Sequence, residues 1–182
     1  PHTEVKIVDP EKGNTLPIGE TGEMCTRGFL VMTGYFENEQ ATSKTIDAEG
    51  WLHTGDLCSM DERGYCYVEG RLKEMIIRGG ENIYPRELEE RLFGHPAVAE
   101  VAVVGIPDER WGEQVAAFIR FNDGTHLSAA QLHDYMREHL APHKTPKLWF
   151  QLDSFPLTAS GKIQKFKLAE LFAAGELTPN MD

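Results

Sequence analysis

GRLKEMIIRGGENIYPRELE, residues 70–89, is the stretch on which the reading of the fold turns. Met75-Ile76-Ile77 is a short apolar run of strand character that stops at Gly79-Gly80. Pro85 suits the first turn of a helix, because the N–H it lacks would find no partner there. Leu88, Leu92 and Phe93 fall on one helical face and are read as its buried stripe, and Gly94 ends the helix.

The chain before this stretch has a different character. Glu4 to Val8 and Glu23 to Arg27 read as strands, separated by the turn Asp9-Pro10-Glu11-Lys12-Gly13-Asn14. Trp51-Leu52-His53 and Tyr65-Cys66-Tyr67-Val68 continue the pattern around a turn at Asp61–Gly64, with a short helix at Thr42 to Ile46. Short strands with regular turns predict a small β-barrel-like subdomain over residues 1–70. After the stretch, strands are predicted at Glu100 to Ile106, Val115 to Phe121 and Leu148 to Leu152. Ser128 caps a helix through Leu140, and Phe166 to Ala174 forms a last helix closed by Gly175. Strands and helices without strict alternation predict an α+β domain over residues 71–182. The fold class is therefore α+β, with the boundary near Gly70-Arg71.

Charge and composition narrow the function. The 182 residues carry 29 acidic and 18 basic side chains, a net charge of −11. That excludes a general nucleic-acid binder, which needs a basic face. The imbalance is concentrated in residues 1–70, with 13 acidic and 5 basic side chains. Residues 139–170 hold five lysines against Asp153 and Glu170, a local basic region able to receive an anion. No apolar run reaches the roughly 18 residues of a membrane span, and the opening residues lead us to expect no secretory leader. Cys25, Cys58 and Cys66 have no metal-binding spacing and are read as small buried hydrophobes in a reducing, cytoplasmic compartment.

Four segments carry chemistry. GEMCTRGFLVMTGYF at residues 22–36 reads by itself as a glycine-punctuated strand pair. WLHTGDL at residues 51–57 ends a strand in Gly55-Asp56. A carboxylate there suits the vicinal hydroxyls of a ribose, or equally a turn that bonds its own backbone. Within residues 70–89, Arg71 suits a phosphate or ribose oxygen and Gly79-Gly80 permits close backbone approach. PLTASGKIQK at residues 156–165 places Lys162 after a glycine. It is not a Walker loop, because Pro156 stands where the first glycine should be. A lysine on such a loop works as a point charge for phosphate or carboxylate oxygens, or is simply a solvated turn residue.

Together, in this order, the four segments resemble the C-terminal portion of the adenylate-forming superfamily of AMP-binding enzymes. That group includes acyl-CoA synthetases, luciferases and peptide-synthetase adenylation domains. GYFENEQATSKTID, Lys73 and AEVAVVGIPDERWGE bring the resemblance nearest to fatty-acyl and medium-chain acyl-CoA synthetases. It implies an acid–thiol ligase that joins a carboxylic acid to the α-phosphate of ATP, with Mg2+, and passes the acyl group to CoA. By motif match, Asp56 and Arg71 would bind ATP or AMP, and Lys73 would be the hinge. Lys162 would be the catalytic lysine of adenylation, and Gly79, Gly80, Glu81 and Asn82 would line the pantetheine route. No resident metal is implied. Arg110 and Lys147 are further candidates for CoA phosphate contacts. The Thr/Ser/Gly-rich phosphate loop and the Thr-Glu segment of the family are absent, so the chain is expected to be a fragment needing an N-terminal AMP-binding region and inactive alone. PxxxxGK at Pro156 to Lys162 also resembles a target of lysine acetyltransferases. The alternatives are the end of a carrier-protein-loading adenylation domain, or a noncatalytic module that kept the fold.

Overall fold

The computed structural model describes residues 2–182. It divides into two compact units, one ending at Lys73 and the other running from Glu74 to Asp182.

The first unit is one antiparallel sheet of four strands in chain order: β1 (Thr3–Val8), β2 (Gly22–Gly28), β3 (Leu52–Met60) and β4 (Cys66–Arg71). Helix α1 (Glu39–Thr45) is capped by the Asn38 side chain, which accepts from the Ala41 N–H. The sheet is open. Strands β1 and β4 do not pair with each other, which corrects the barrel-like expectation. Four strands make a ring too narrow to fill with side chains, so they remain a sheet. The ladder is irregular between Glu23 and Cys25 and again between Leu57 and Cys58. Such bulges re-aim neighbouring side chains, and Asp56 lies between them in β3. A small core of Val8, Cys25 and Trp51 holds the unit, with Lys6 and Arg27 over the indole at 4.2 and 4.5 Å.

The second unit is a five-stranded sheet. It contains β5 (Ile76–Arg78), β6 (Glu81–Ile83), β7 (Val98–Asp108), β8 (Gly112–Phe121) and β9 (Leu148–Gln151). The order is β6-β5-β8-β7, with β9 parallel to β8 over Ala116 to Ile119. The apolar run of β8 is explained by period-2 alternation with both faces covered. Val115, Ala117 and Ile119 pack with Leu88 and Leu92 of α2 (Pro85–Phe93) and with Leu132 and Met136 of α3 (Ala129–Arg137). Ala116 and Phe118 face the other way, onto Phe150, Phe155 and Leu168 of α4 (Lys165–Ala173). A capping box at Ser128 and Gln131 starts α3.

Two smaller expectations fail. Phe93 is 62% exposed and lies off the α2 stripe, which consists of Leu88 and Leu92. Cys66 is exposed at the start of β4, unlike Cys25 and Cys58. No described helix is long and apolar enough to cross a membrane.

Candidate functional site

Asp56 and Arg71 face each other across β3 and β4 as register partners. Arg71 Nε lies 2.9 Å from Asp56 Oδ1, and an Arg71 terminal nitrogen donates to the Thr54 carbonyl at 3.4 Å. The Thr54 hydroxyl donates to the Met24 carbonyl at 2.7 Å and accepts from the Asp56 N–H at 3.1 Å, fixing the backbone that presents the carboxylate. Gly55 takes φ +69, a left-handed conformation that a side chain would resist. The Asp56 side chain remains 25% exposed. It can release Arg71 in part and accept from two hydroxyl groups.

Behind this pair lies a group the sequence reading missed. Glu23 is buried, accepts from the Gly55 N–H at 3.0 Å and lies 2.8 Å from His53 Nδ1. Cys25 Sγ is 3.5 Å from the same nitrogen. Burial, aided by the Glu23 charge, pushes the Cys25 thiol up to about 11. Burial and Asp56 push Cys58 up to about 11 as well. Both are neutral thiols and poor nucleophiles at ordinary pH. The available clue was that Glu23 and Cys25 alternate on one strand; the cross-strand partner His53 was not legible locally.

Lys73 is exposed in the single 3-10 turn Leu72–Glu74, the last residue of the first unit. In the second unit, Gly79 and Gly80 are the two-residue tip of the β5–β6 hairpin, between the paired Arg78 and Glu81. Both have positive φ, +61 and +86, as a tight hairpin turn requires. The Gly79 N–H donates to the Trp111 carbonyl at 2.8 Å, and a methyl group on Gly79 would meet the Trp111 ring at 2.8 Å. Gly80 has open space, and Glu81 and Asn82 are exposed beside it. Asp108 shapes the supporting loop by accepting from the N–H groups of Arg110 and Trp111 at 3.0 and 2.8 Å. Arg110 lies over the Trp111 ring at 4.7 Å, and Lys147 is exposed.

Lys162 closes a turn braced on both sides. Thr158 N–H donates to the Lys162 carbonyl at 2.8 Å, and the Lys162 N–H donates to the Thr158 hydroxyl at 3.0 Å. Gly161 takes φ +80, and Leu157 bridges to Ile163. The side chain is exposed, and among the described residues its ammonium has no carboxylate partner. Lys165 differs. It is held by Glu74 at 2.6 Å and Glu89 at 2.8 Å. Lys144 is held by Glu87 at 2.7 Å.

These features agree with known proteins. Residues 1–36 match the family model described as AMP-binding enzyme, and residues 87–162 match that of the AMP-binding enzyme C-terminal domain. The chain belongs to the AMP-binding, adenylate-forming enzymes. YngI of Bacillus subtilis, named as an acyl-CoA synthetase, is 55% identical over 93% of this chain and 31% of its own length. The mitochondrial medium-chain acyl-CoA ligase ACSF2 of Homo sapiens is 45% identical over 93% of this chain and 28% of its own. ATP-bound MatB from Rhodopseudomonas palustris superposes with a TM-score of 0.88 at 35% identity, over 94% of this chain and 34% of that one. The chain thus spans about a third of the length of these AMP-binding relatives. It corresponds to the C-terminal portion of the family.

Proposed function

We propose that this chain serves an ATP-dependent acyl-CoA ligase that activates a carboxylic acid, of the fatty-acid class, in two steps. In the first, a carboxylate oxygen attacks the α-phosphorus of ATP and the bond to pyrophosphate breaks, leaving an acyl-adenylate. In the second, the thiol sulfur of CoA attacks the acyl carbon, AMP departs and the thiol proton is lost. Mg2+ would neutralise the phosphates of ATP in the first step.

Asp56 accepts from the ribose hydroxyls of ATP or AMP, and Arg71, already aligned with it, steadies the carboxylate and the ribose or phosphate edge. Lys162 serves adenylation. Two anions must meet there, and an ammonium between them reduces their repulsion and stabilises the charge that develops. Thioester formation has no such need. It needs a narrow route for a thiol arm, which the Gly79-Gly80 tip offers with Glu81 and Asn82 at its edge. Lys73, at the end of the first unit, is the hinge residue.

The observation that carries this reading is the Lys162 ammonium, presented on a rigid turn with no carboxylate to neutralise it among the described residues. The relatives named as acyl-CoA synthetases and ligases support the substrate class. The test uses the full-length gene product. Lys162→Ala should cut ATP–pyrophosphate exchange with carboxylic acids about 100- to 1,000-fold while sparing thioester formation from preformed acyl-adenylate. Equal loss of both half-reactions would refute the role of Lys162. Offering CoA and a carrier protein as competing acceptors decides the thiol, and CoA is expected. The exposed Lys162 amine is also a target for a lysine acetyltransferase, since acetylation removes the charge that adenylation uses. Mass spectrometry after exposure to such an enzyme should find the acetyl group at Lys162. A cytoplasmic location accords with the free thiols.

A further inference from the structure

We propose that Glu23, Cys25 and His53 form a binding site for a divalent transition metal, zinc being the ion that suits their mixture of oxygen, sulfur and nitrogen. One ligand atom from each residue lies within 4.8 Å of the others. Thiolate, imidazole and carboxylate with one open position is a donor set that zinc accepts, in tetrahedral geometry.

The Glu23 and Cys25 side chains converge on a single imidazole nitrogen. His53 Nδ1 is 2.8 Å from Glu23 Oε2 and 3.5 Å from Cys25 Sγ. If Nδ1 carries its proton, it donates to Glu23 and its lone pair is unavailable to the thiol. If it carries none, it accepts from the thiol and its lone pair faces a carboxylate oxygen. Without an ion the Nδ1 proton goes to Glu23 and the thiol is only a weak neighbour, whereas a cation among the three would take a lone pair from each. Tetrahedral zinc bonds imply sulfur–nitrogen and nitrogen–oxygen separations of about 3.5 and 3.3 Å. The first matches the 3.5 Å found, and the second needs the Glu23 carboxylate to draw back slightly from 2.8 Å.

The surroundings are also those of a metal site. Asp47 Oδ2 stands 3.7 Å from His53 Nε2, the nitrogen that would not bind the ion. A carboxylate on the far side of a ligating imidazole fixes its orientation and raises its basicity. Glu23 has its other oxygen on the Gly55 N–H at 3.0 Å, so it is already aimed. Cys25 and Glu23 are buried, while the His53 side chain is 36% exposed and gives an entry path. Cysteine binds such an ion as the thiolate, so loading releases a proton. An ion here would lock β2 to β3 at their bulge, immediately before Asp56.

The test is a cobalt(II) titration of the full chain prepared free of metal. One equivalent is expected to give a thiolate-to-cobalt charge-transfer band in the near ultraviolet and the strong visible bands of a tetrahedral ion, both removed by added zinc. Cys25→Ser should lose the charge-transfer band, and Cys66→Ser should keep it. Glu23→Gln and His53→Gln should weaken binding at least tenfold, and Asp47→Asn by about tenfold. Absence of a thiolate band at one equivalent, or its persistence in Cys25→Ser, overturns the proposal. Because buried substitutions can disturb folding, the unmodified chain supplies a second readout. Zinc should raise its thermal midpoint and a chelator should reverse the rise; no rise overturns the proposal. Neither measurement depends on ligase activity.

Discussion

Lys162 and Lys165 are near neighbours in the chain, yet their ammonium groups have opposite surroundings. Lys162 stands exposed on a braced turn, with no carboxylate beside it among the described residues. Lys165 opens α4 and is clasped by Glu74 and Glu89, with only 20% of its side chain exposed. Burial alone would lower the Lys165 pKa, but the charges and hydrogen bonds of Glu89 and Glu74 outweigh it, and the net shift is upward. One cation is committed to structure, tying the 3-10 turn and α2 to α4. The other is held in position but left uncompensated, which is what an anionic reaction partner requires. Identical side chains a few residues apart thus divide a compensated charge from an uncompensated one.

The sharpest way to break this comparison is to remove each charge in turn. Lys162→Ala in the full-length gene product is expected to cost adenylation about 100- to 1,000-fold, the usual range for one donor to developing charge. Its urea midpoint should stay at the unmodified value. Lys165→Met should do the reverse for stability. It leaves Glu89, 19% exposed, without its cation, and a loss of about 2–3 kcal/mol is expected in urea unfolding. If Lys165→Met proves neutral, the clasp is ornamental and the contrast fails.

The pH dependence sharpens the same point. The folded pKa of Lys165 lies above its ordinary value of 10.5. Its stabilising contribution is therefore complete below that value and is lost as pH rises through the higher, folded one. The stability difference between the unmodified chain and Lys165→Met should be constant from neutral pH to about 10 and then shrink.

A smaller effect separates the two glycines of the hairpin tip. Gly79→Ala forces a methyl group onto the Trp111 ring at 2.8 Å, in a left-handed backbone at φ +61. Gly80→Ala meets open space at φ +86 and pays only the conformational cost, about 1 kcal/mol. Gly79→Ala should be the more destabilising in urea. Gly80→Leu, in the full-length gene product, should impair thioester formation more than adenylation, since its side chain projects into the space assigned to the thiol arm.

Local patterns carried much of the second unit. Ser128 with Gln131, Pro85 with Gly94 and the apolar runs of β7 and β8 each announce their element through propensity and period. Strand β6 was not foreseen, because Glu81-Asn82-Ile83 has no strand character of its own; the Gly79-Gly80 turn folds it back onto β5. In the first unit the strands were visible, but whether they closed was not. Closure depends on strand number and stagger, which no single segment encodes. The misjudged Phe93 has a similar cause: helical spacing gives a face, but only packing against the sheet gives its width.

Among the candidate site residues, Asp56, Arg71, Gly79, Gly80 and Lys162 could be named from motif order, because chemistry selects residue types at turns and strand ends. Their surroundings could not be read that way. That Asp56 pairs with Arg71, that Lys165 is neutralised while Lys162 is not, and that Glu23, Cys25 and His53 converge all depend on contacts between distant segments. The sequence by itself determined the α+β class, the membership of the AMP-binding enzymes and which side chains are candidates for the chemistry, since these rest on local pattern and residue type. Only the tertiary structure decided which charges are compensated and which stand free, because electrostatic environment is set by what lies within a few ångströms in space and not along the chain.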